Sequence, residues 1–354
     1  MVEKKLTYSP RSVAASMRRQ LRPRYVHMYP LSDDTPYRVD SSSPTFKGSF
    51  GLVQKVIDKY TGDSFAVKTF EEVAQNKNSK KILTEIAILE VCSHPNIVEF
   101  VEAFQAGDDE TSIHIALFPW APYTLQQFLE SYDHKRMESC PWFFPDSARS
   151  DGCVYKIMAG LAEGVEYLHS RSIKHKDLKP ENILLYHHED GDLMRPIITD
   201  VGVSKIYKPG GSTNFKDSTY EYLAPEQHRM AESTLKSDIW QLGCCFAALM
   251  AVAKNGRSGL EQLKGSYGRD DLNCSWAIGL EHGYFIEALK KLYQPSGGKQ
   301  ALLLQLVMSM LDMDPDNRPV IKQVRTVTQR LGALQGKRKK RCHTGTPVSV
   351  GQEV

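Results

Sequence analysis

The chain has 354 residues, of which 41% are hydrophobic and 25% charged, and a formal net charge of +3. This is the make-up of a soluble globular protein with room for one large two-lobed domain or two ordinary ones. So small a net charge does not by itself imply nucleic-acid binding. The 7 cysteines, at positions 92, 140, 153, 244, 245, 274 and 342, are scattered without a Cys-x-x-Cys pair. They predict reduced thiols of the cytosol or nucleus and not a disulfide framework. No apolar signal core opens the chain and no run approaches a membrane-spanning length, so no membrane partner is expected.

Residues 1–36 read as a basic, irregular arm in which Lys4, Lys5, Arg11, Arg18, Arg19, Arg22 and Arg24 face few acids. A solvated arm is the favoured reading. The alternative is an arm docked through Leu21, Tyr25, Met28 and Tyr29. Residues 37–118 are strand-rich. The runs 52–57 and 64–68 flank Lys59-Tyr60-Thr61-Gly62-Asp63, a hairpin turn signal. Ile82, Leu83, Ile86 and Leu89 then fall at helical spacing, before strand-like runs at 97–104 and 112–118. From 123 onward the pattern is mostly helical. Helices are predicted from Leu125, over Val154–His169, Asp238–Ala253, Phe285–Tyr293, Ala301–Leu311 and Ile321–Leu331. Residues 131–151 read as a polar insertion carrying Trp142, Phe143 and Phe144, and residues 333–354 as a basic, disordered tail. A strand-rich part followed by a larger helical part predicts an α+β chain in two lobes.

The chemistry-bearing stretch is His175-Lys176-Asp177-Leu178-Lys179-Pro180-Glu181-Asn182, a loop between a helical run and the apolar Ile183-Leu184-Leu185. Asp177 can accept a proton or orient a hydroxyl, Lys179 can neutralise phosphate, and Asn182 offers an oxygen to a hard cation. Its bland reading is a solvated loop. Gly48-Ser49-Phe50-Gly51-Leu52-Val53 lies between two strand-like runs, where glycines let backbone amides approach phosphates. Lys68 ends an apolar strand and Glu85 borders a buried helix face, where an unpaired carboxylate would be costly. A Lys68–Glu85 pair satisfies both. Asp200 follows the strand-like Pro196-Ile197-Ile198.

These stretches, in this order, resemble the motifs of eukaryotic protein kinases over residues 37–332. The loop resembles His-Arg-Asp-x-x-x-x-Asn with Lys176 in the Arg place. Thr199-Asp200-Val201-Gly202 resembles Asp-Phe-Gly with Val201 for Phe. Tyr222 to Glu226 resembles the Ala-Pro-Glu close, and Ser237 to Gly243 the central-helix motif whose Asp braces the catalytic loop. The resemblance implies a bilobal fold, with an N-lobe over 37–118 and a C-lobe over 121–332. It implies transfer of the ATP γ-phosphoryl group to a protein Ser/Thr hydroxyl, with an upstream kinase as a further partner. Asp177 would be the catalytic base and Lys179 would steady the transferring group. Asn182 and Asp200 would hold Mg2+. Gly48, Ser49, Phe50, Gly51, Val53, Ala66, Lys68, Glu85, Leu117, Phe118, Trp120 and Leu184 would bind ATP. Leu117 would be the gatekeeper, and the Phe118 carbonyl and Trp120 amide would meet the adenine edge. Glu226 would pair with Arg318.

Phe46 stands where the family has its first loop glycine, and this either stiffens the loop or weakens nucleotide binding. Val201 would fill less space under the regulatory helix. Lys176 would grip a phosphate on the activation segment, at Ser212, Thr213 or Ser218, less firmly than Arg. With Phe46, these departures motivate a second class, a non-catalytic pseudokinase scaffold. A third, nucleic-acid binding through the basic ends, lacks any reading motif. The Lys337–Arg341 cluster reads equally as a nuclear import signal or a solvated tail, so location is expected to be cytoplasmic, nuclear or both. The His-Lys-Asp form resembles that of fungal kinases.

Overall fold

The computed structural model describes residues 26–48, 51–71, 79–107, 111–187, 194–201, 205–206, 218–229, 233–268 and 276–333. Its smaller lobe is a curled sheet of β1 (Val26–Tyr29), β2 (Tyr37–Val39), β3 (Phe46–Gly48), β4 (Gly51–Asp58), β5 (Ser64–Phe70), β6 (Glu99–Ala106) and β7 (Ile113–Phe118). The spatial order is β1-β6-β7-β5-β4-β2, with β3 also paired to β4. The predicted turn closes β4 onto β5. Asp58 accepts from the Tyr60 and Thr61 amides at 2.8 Å each, and Gly62 takes φ +79°. Gly51 permits β4 to approach β5 closely, since a Cβ there would lie 2.1 Å from the Thr69 carbonyl oxygen. Its need for glycine is therefore met within the sheet.

The last part of the supposed irregular arm is structured. Val26–Tyr29 run parallel to β6, in the register Val26↔Ala103 to Tyr29↔Ala106. The Tyr29 and Tyr37 hydroxyls both donate to Glu102, Tyr37 at 2.8 Å. The strand covers the β6 edge, which would otherwise present unpaired amides and carbonyls. Residues 1–25 and 334–354 lie outside the described residues.

Helix α1 (Ser79–Leu89) packs Ile82, Ile86 and Leu89 inward at helical spacing. The larger lobe holds α2 (Leu125–Glu130), α3 (Asp133–Ser139), α4 (Ala148–Ser170), α5 (Pro225–His228), α6 (Lys236–Lys264, kinked at Asn255 and Gly256), α7 (His282–Leu292), α8 (Gly298–Met310) and α9 (Ile321–Ala333). Small strands β8 (Ile173–Lys174), β9 (Ile183–His187), β10 (Met194–Ile198) and β11 (Lys205–Ile206) carry the loops that face the sheet. One continuous apolar core runs from α1 through Leu161, Leu178 and Val201 to α9.

The stretch 131–151 is not an extruded polar insertion. It contains α3 and the start of α4, and it buries Trp142 and Phe143 against Phe128. Arg136 is fully buried and donates to the carbonyls of Leu129 (2.8 Å) and Ser131 (2.7 Å) and to Asp133. It thereby satisfies carbonyls that the C-terminus of α2 leaves open. A lone arginine in a polar stretch gives no hint of this in the sequence.

Candidate active site

The interlobe cleft has a volume of about 220 Å³ and begins at the sheet. β4, β5 and β7 lie side by side in a register that sets Val53 opposite Lys68 and Ala66 opposite Leu117. Val53, Ala66 and Leu117 line one side of the cleft and Leu184 of β9 the other, and the far end is polar, with Lys68, Asn182 and Asp200.

Lys68 is 6% exposed, and its Nζ lies 2.7 Å from Glu85 Oε1 and 3.3 Å from Asp200 Oδ1. Glu85 comes from α1 and Asp200 from the loop after β10, so one ammonium holds an acid from each lobe. Burial lowers the Lys68 pKa, but the charges of Glu85 and Asp200 outweigh it and hold the ammonium above its usual range. Burial likewise raises Asp200, and Lys68, with His175 and Lys179, more than offsets this, leaving it below the usual carboxylate range. Asp200 takes φ +59°, a left-handed conformation that costs a non-glycine residue of order 1–3 kcal/mol.

The catalytic loop is held from below by α6. Both Asp238 oxygens accept backbone amides, His175 N and Lys176 N at 2.9 Å each, and His169 Nε2 adds a third contact at 2.9 Å. One turn on, Gln241 accepts from the Leu178 amide (3.1 Å) and donates to the Lys176 carbonyl (2.9 Å). Sequence reading found Asp238 and missed Gln241, although Asp238-x-x-Gln241 puts both on one helix face. The Asp177 amide donates to His175 Nδ1 (3.3 Å), which leaves Nε2 as the donor to the Thr199 carbonyl (3.1 Å).

Asp177 is thereby aimed at the end of the activation segment. Its Oδ1 accepts the Thr219 amide at 2.7 Å, and its Oδ2 lies 3.2 Å from Asn182 Nδ2 and 3.1 Å from Lys179 Nζ. Lys179 also donates to the Thr219 hydroxyl at 2.7 Å. Asn182 Nδ2 further donates to the Asp177 carbonyl at 2.9 Å, leaving its amide oxygen for a hard cation. Among the described residues no three His, Cys, Asp or Glu side chains converge on a metal position. One carboxylate and one amide oxygen suit Mg2+ that keeps waters or phosphate oxygens as its other ligands.

Glu85 stands behind Lys68, as expected of a residue that places it, and Asp177, Lys179 and Gly51 do not line the cleft itself. The Phe118 ring packs on Phe65 at 5.5 Å, outside the cleft. The Trp120 amide, expected to meet an adenine edge, here donates to the Ser64 carbonyl at 3.2 Å, and Trp120 lines the cleft. Phe46 also lines the cleft. Lys176, with φ +77°, is fully buried, and Ser218 donates to its carbonyl at 2.6 Å. Ser49, Phe50, Gly202, Ser212 and Thr213 lie outside the described residues. Glu226 and Arg318 form the expected pair, with two parallel bonds of 2.9 and 2.7 Å.

A curled sheet over a helical lobe, with a lysine joining acids of both lobes above a braced Asp loop, defines the class: this is the bilobal fold of protein kinases. The family model described as protein kinase domain matches residues 47–328, and the chain belongs to that family. It is 28% identical to human cyclin-dependent kinase-like 4 over 301 residues, covering 81% of this chain and 73% of that protein. It is 27% identical to 3-phosphoinositide-dependent protein kinase B of Dictyostelium discoideum, covering 79% of this chain and 27% of that protein. Human serine/threonine-protein kinase H2 is 29% identical, covering 60% of this chain and 51% of that protein. The chain thus spans about half or less of the length of two of these three relatives. None of them bears on the fungal likeness.

Proposed function

We propose that the chain is an ATP- and Mg2+-dependent serine/threonine protein kinase whose catalytic domain runs from about Val26 to Ala333. The observation that carries the reading is the Lys68 ammonium holding Glu85 and Asp200 together at 2.7 and 3.3 Å. When bound, ATP supplies the phosphoryl group, and Mg2+ neutralises its charge. Lys68 holds phosphate oxygens and is itself placed by Glu85. Asp200 and Asn182 hold the metal. Asp177 orients the substrate hydroxyl and takes its proton, and Lys179 balances charge beside it.

The substrate is a protein presenting Ser or Thr, and an upstream kinase acts on the activation segment. Among the described residues no helix is long and apolar enough to cross a membrane. The proposed location is the cytoplasm, the nucleus or both.

The test is phosphate transfer from ATP to a generic basic protein by the purified chain, beside Asp200→Ala. Transfer by the wild type and not by the variant supports the reading. ATP binding without transfer would favour the pseudokinase scaffold instead.

A further inference from the structure

Resting on the nucleotide site proposed above, we infer that Phe46 and Trp120 form an aromatic roof that grips the nucleotide base by ring contact. This would replace a base-edge hydrogen bond to the Trp120 amide. The two ring centroids are 5.9 Å apart with their planes at 42°. Both residues line the cleft, together with Ala66, Leu117 and Leu184. Phe46 reaches the cleft because β3 pairs it with Val53 of β4, which lines the same space. Phe46 is 36% exposed, at a position where a glycine would offer no side chain. The two rings are already in mutual contact distance, so a base does not fit between them. It would lie beneath the pair, over Leu184, and cover the exposed ring.

The backbone makes this contact necessary. Pro119 has no amide hydrogen. The next amide, that of Trp120, donates to the Ser64 carbonyl at 3.2 Å. Two successive positions on the cleft edge therefore present no free donor to a base. Stacking on aromatic faces is nearly blind to base identity, because every base has a π-face. The ring contact itself should then grip guanine as well as adenine, and any preference between them is left to the Phe118 carbonyl. The ring at position 46 strengthens nucleotide binding and does not weaken it.

The test is calorimetric binding of ATP, GTP and base-free tripolyphosphate to the full chain. It uses the wild type, Phe46→Leu, Phe46→Tyr and Trp120→Ala. The ring contribution should be the same for ATP and GTP within about threefold. Phe46→Leu and Trp120→Ala should each weaken both nucleotides about tenfold while leaving tripolyphosphate unchanged. Phe46→Tyr, which keeps the ring, should bind like the wild type. Quenching of Trp120 fluorescence on ATP addition, lost in Trp120→Phe, is the second expected readout. Wild-type ATP binding that is equally tight in Phe46→Leu and Trp120→Ala overturns the inference and leaves the kinase reading standing. A loss in Phe46→Leu and Trp120→Ala that is confined to one of the two nucleotides overturns it too, since stacking does not distinguish them. A wild type that binds no ATP removes both.

Discussion

Thr219 meets Asp177 with its backbone and Lys179 with its side chain: its amide donates to Asp177 Oδ1 and its hydroxyl accepts from Lys179 Nζ, each at 2.7 Å. Lys179 can only donate, so the hydroxyl oxygen is the acceptor. One residue at the end of the activation segment thus holds two polar groups of the catalytic loop, Asp177 and Lys179.

Thr219→Val should therefore lower kcat/KM roughly 10–100-fold with little effect on folding. It removes one charge-assisted hydrogen bond, worth about 1.5–3 kcal/mol. The shape and the amide bond to Asp177 remain. Thr219→Ser should recover most of the rate. Steady-state kinetics of the two variants are the check, and a wild-type rate in Thr219→Val would show that the hydroxyl has no such role.

Lys68→Met should abolish phosphate transfer, and its stability should show a distinct pH signature. Burial raises the Asp200 pKa, and Lys68, followed by His175 and Lys179, lowers it by more. A carboxyl lowered on folding contributes stability above its unfolded pKa, near 4, and loses it as pH falls through the folded value. Without Lys68, burial dominates and that contribution reverses sign. Glu85, losing the same cation, moves in the same direction. The stability gap between wild type and Lys68→Met should therefore be widest near pH 7 and narrow below about pH 4. Urea midpoints across that range measure it, and a gap independent of pH would contradict the assignment.

The residues proposed to act on the phosphate were largely legible in the sequence, because they fall at the spacing of the family's motifs. Asp177, Lys179 and Asn182 share one loop, and Glu85 borders a buried helix face where its charge needs a partner; Lys68 and Asp200 read locally as strand ends and stand out only through the family resemblance. The Glu226–Arg318 pair was expected only from the family resemblance. What could not be read depended on non-local backbone. β1 exists because Val26–Tyr29 find the free edge of β6, more than seventy residues away, in the register Val26↔Ala103. Arg136 is buried because α2 leaves carbonyls open beside it. The Trp120 amide is engaged because Ser64, at the start of β5, is its neighbour in space. No local pattern announces any of these.

Glu226 and Arg318 are both buried, and Arg318 also donates to the carbonyls of Asp312 (2.8 Å) and Lys236 (3.1 Å). Breaking a buried pair strands the remaining charge, at a cost of about 3–5 kcal/mol. Arg318→Met should cost more than Glu226→Gln, since it also frees two carbonyls. The double variant should be less destabilised than the sum of the two. Chemical denaturation of the four proteins closes the cycle, and strict additivity would mean that the pair carries no coupling.

Ser218 was a candidate to carry a phosphate held by Lys176, and the structure points the other way. Its hydroxyl donates inward to the Lys176 carbonyl at 2.6 Å, and Gln241 donates to the same oxygen at 2.9 Å. Both lone pairs of that carbonyl are thus engaged. Lys176 is fully buried. A phosphate or carboxylate at position 218 has only acceptors to offer the carbonyl, so it must leave the site. It would draw the adjacent Thr219 away from Asp177 and Lys179. Ser218→Asp should then lower kcat about tenfold or more, the size of one lost charge-assisted bond at Thr219. Ser218→Ala should cost only about threefold, because Gln241 still serves the carbonyl. Modification at Ser218 would therefore switch the enzyme off. Kinetics of the two variants, with the wild type before and after phosphatase treatment, decide it. Ser218→Asp equal to or faster than the wild type would show that the inward hydroxyl bond does not hold the active arrangement.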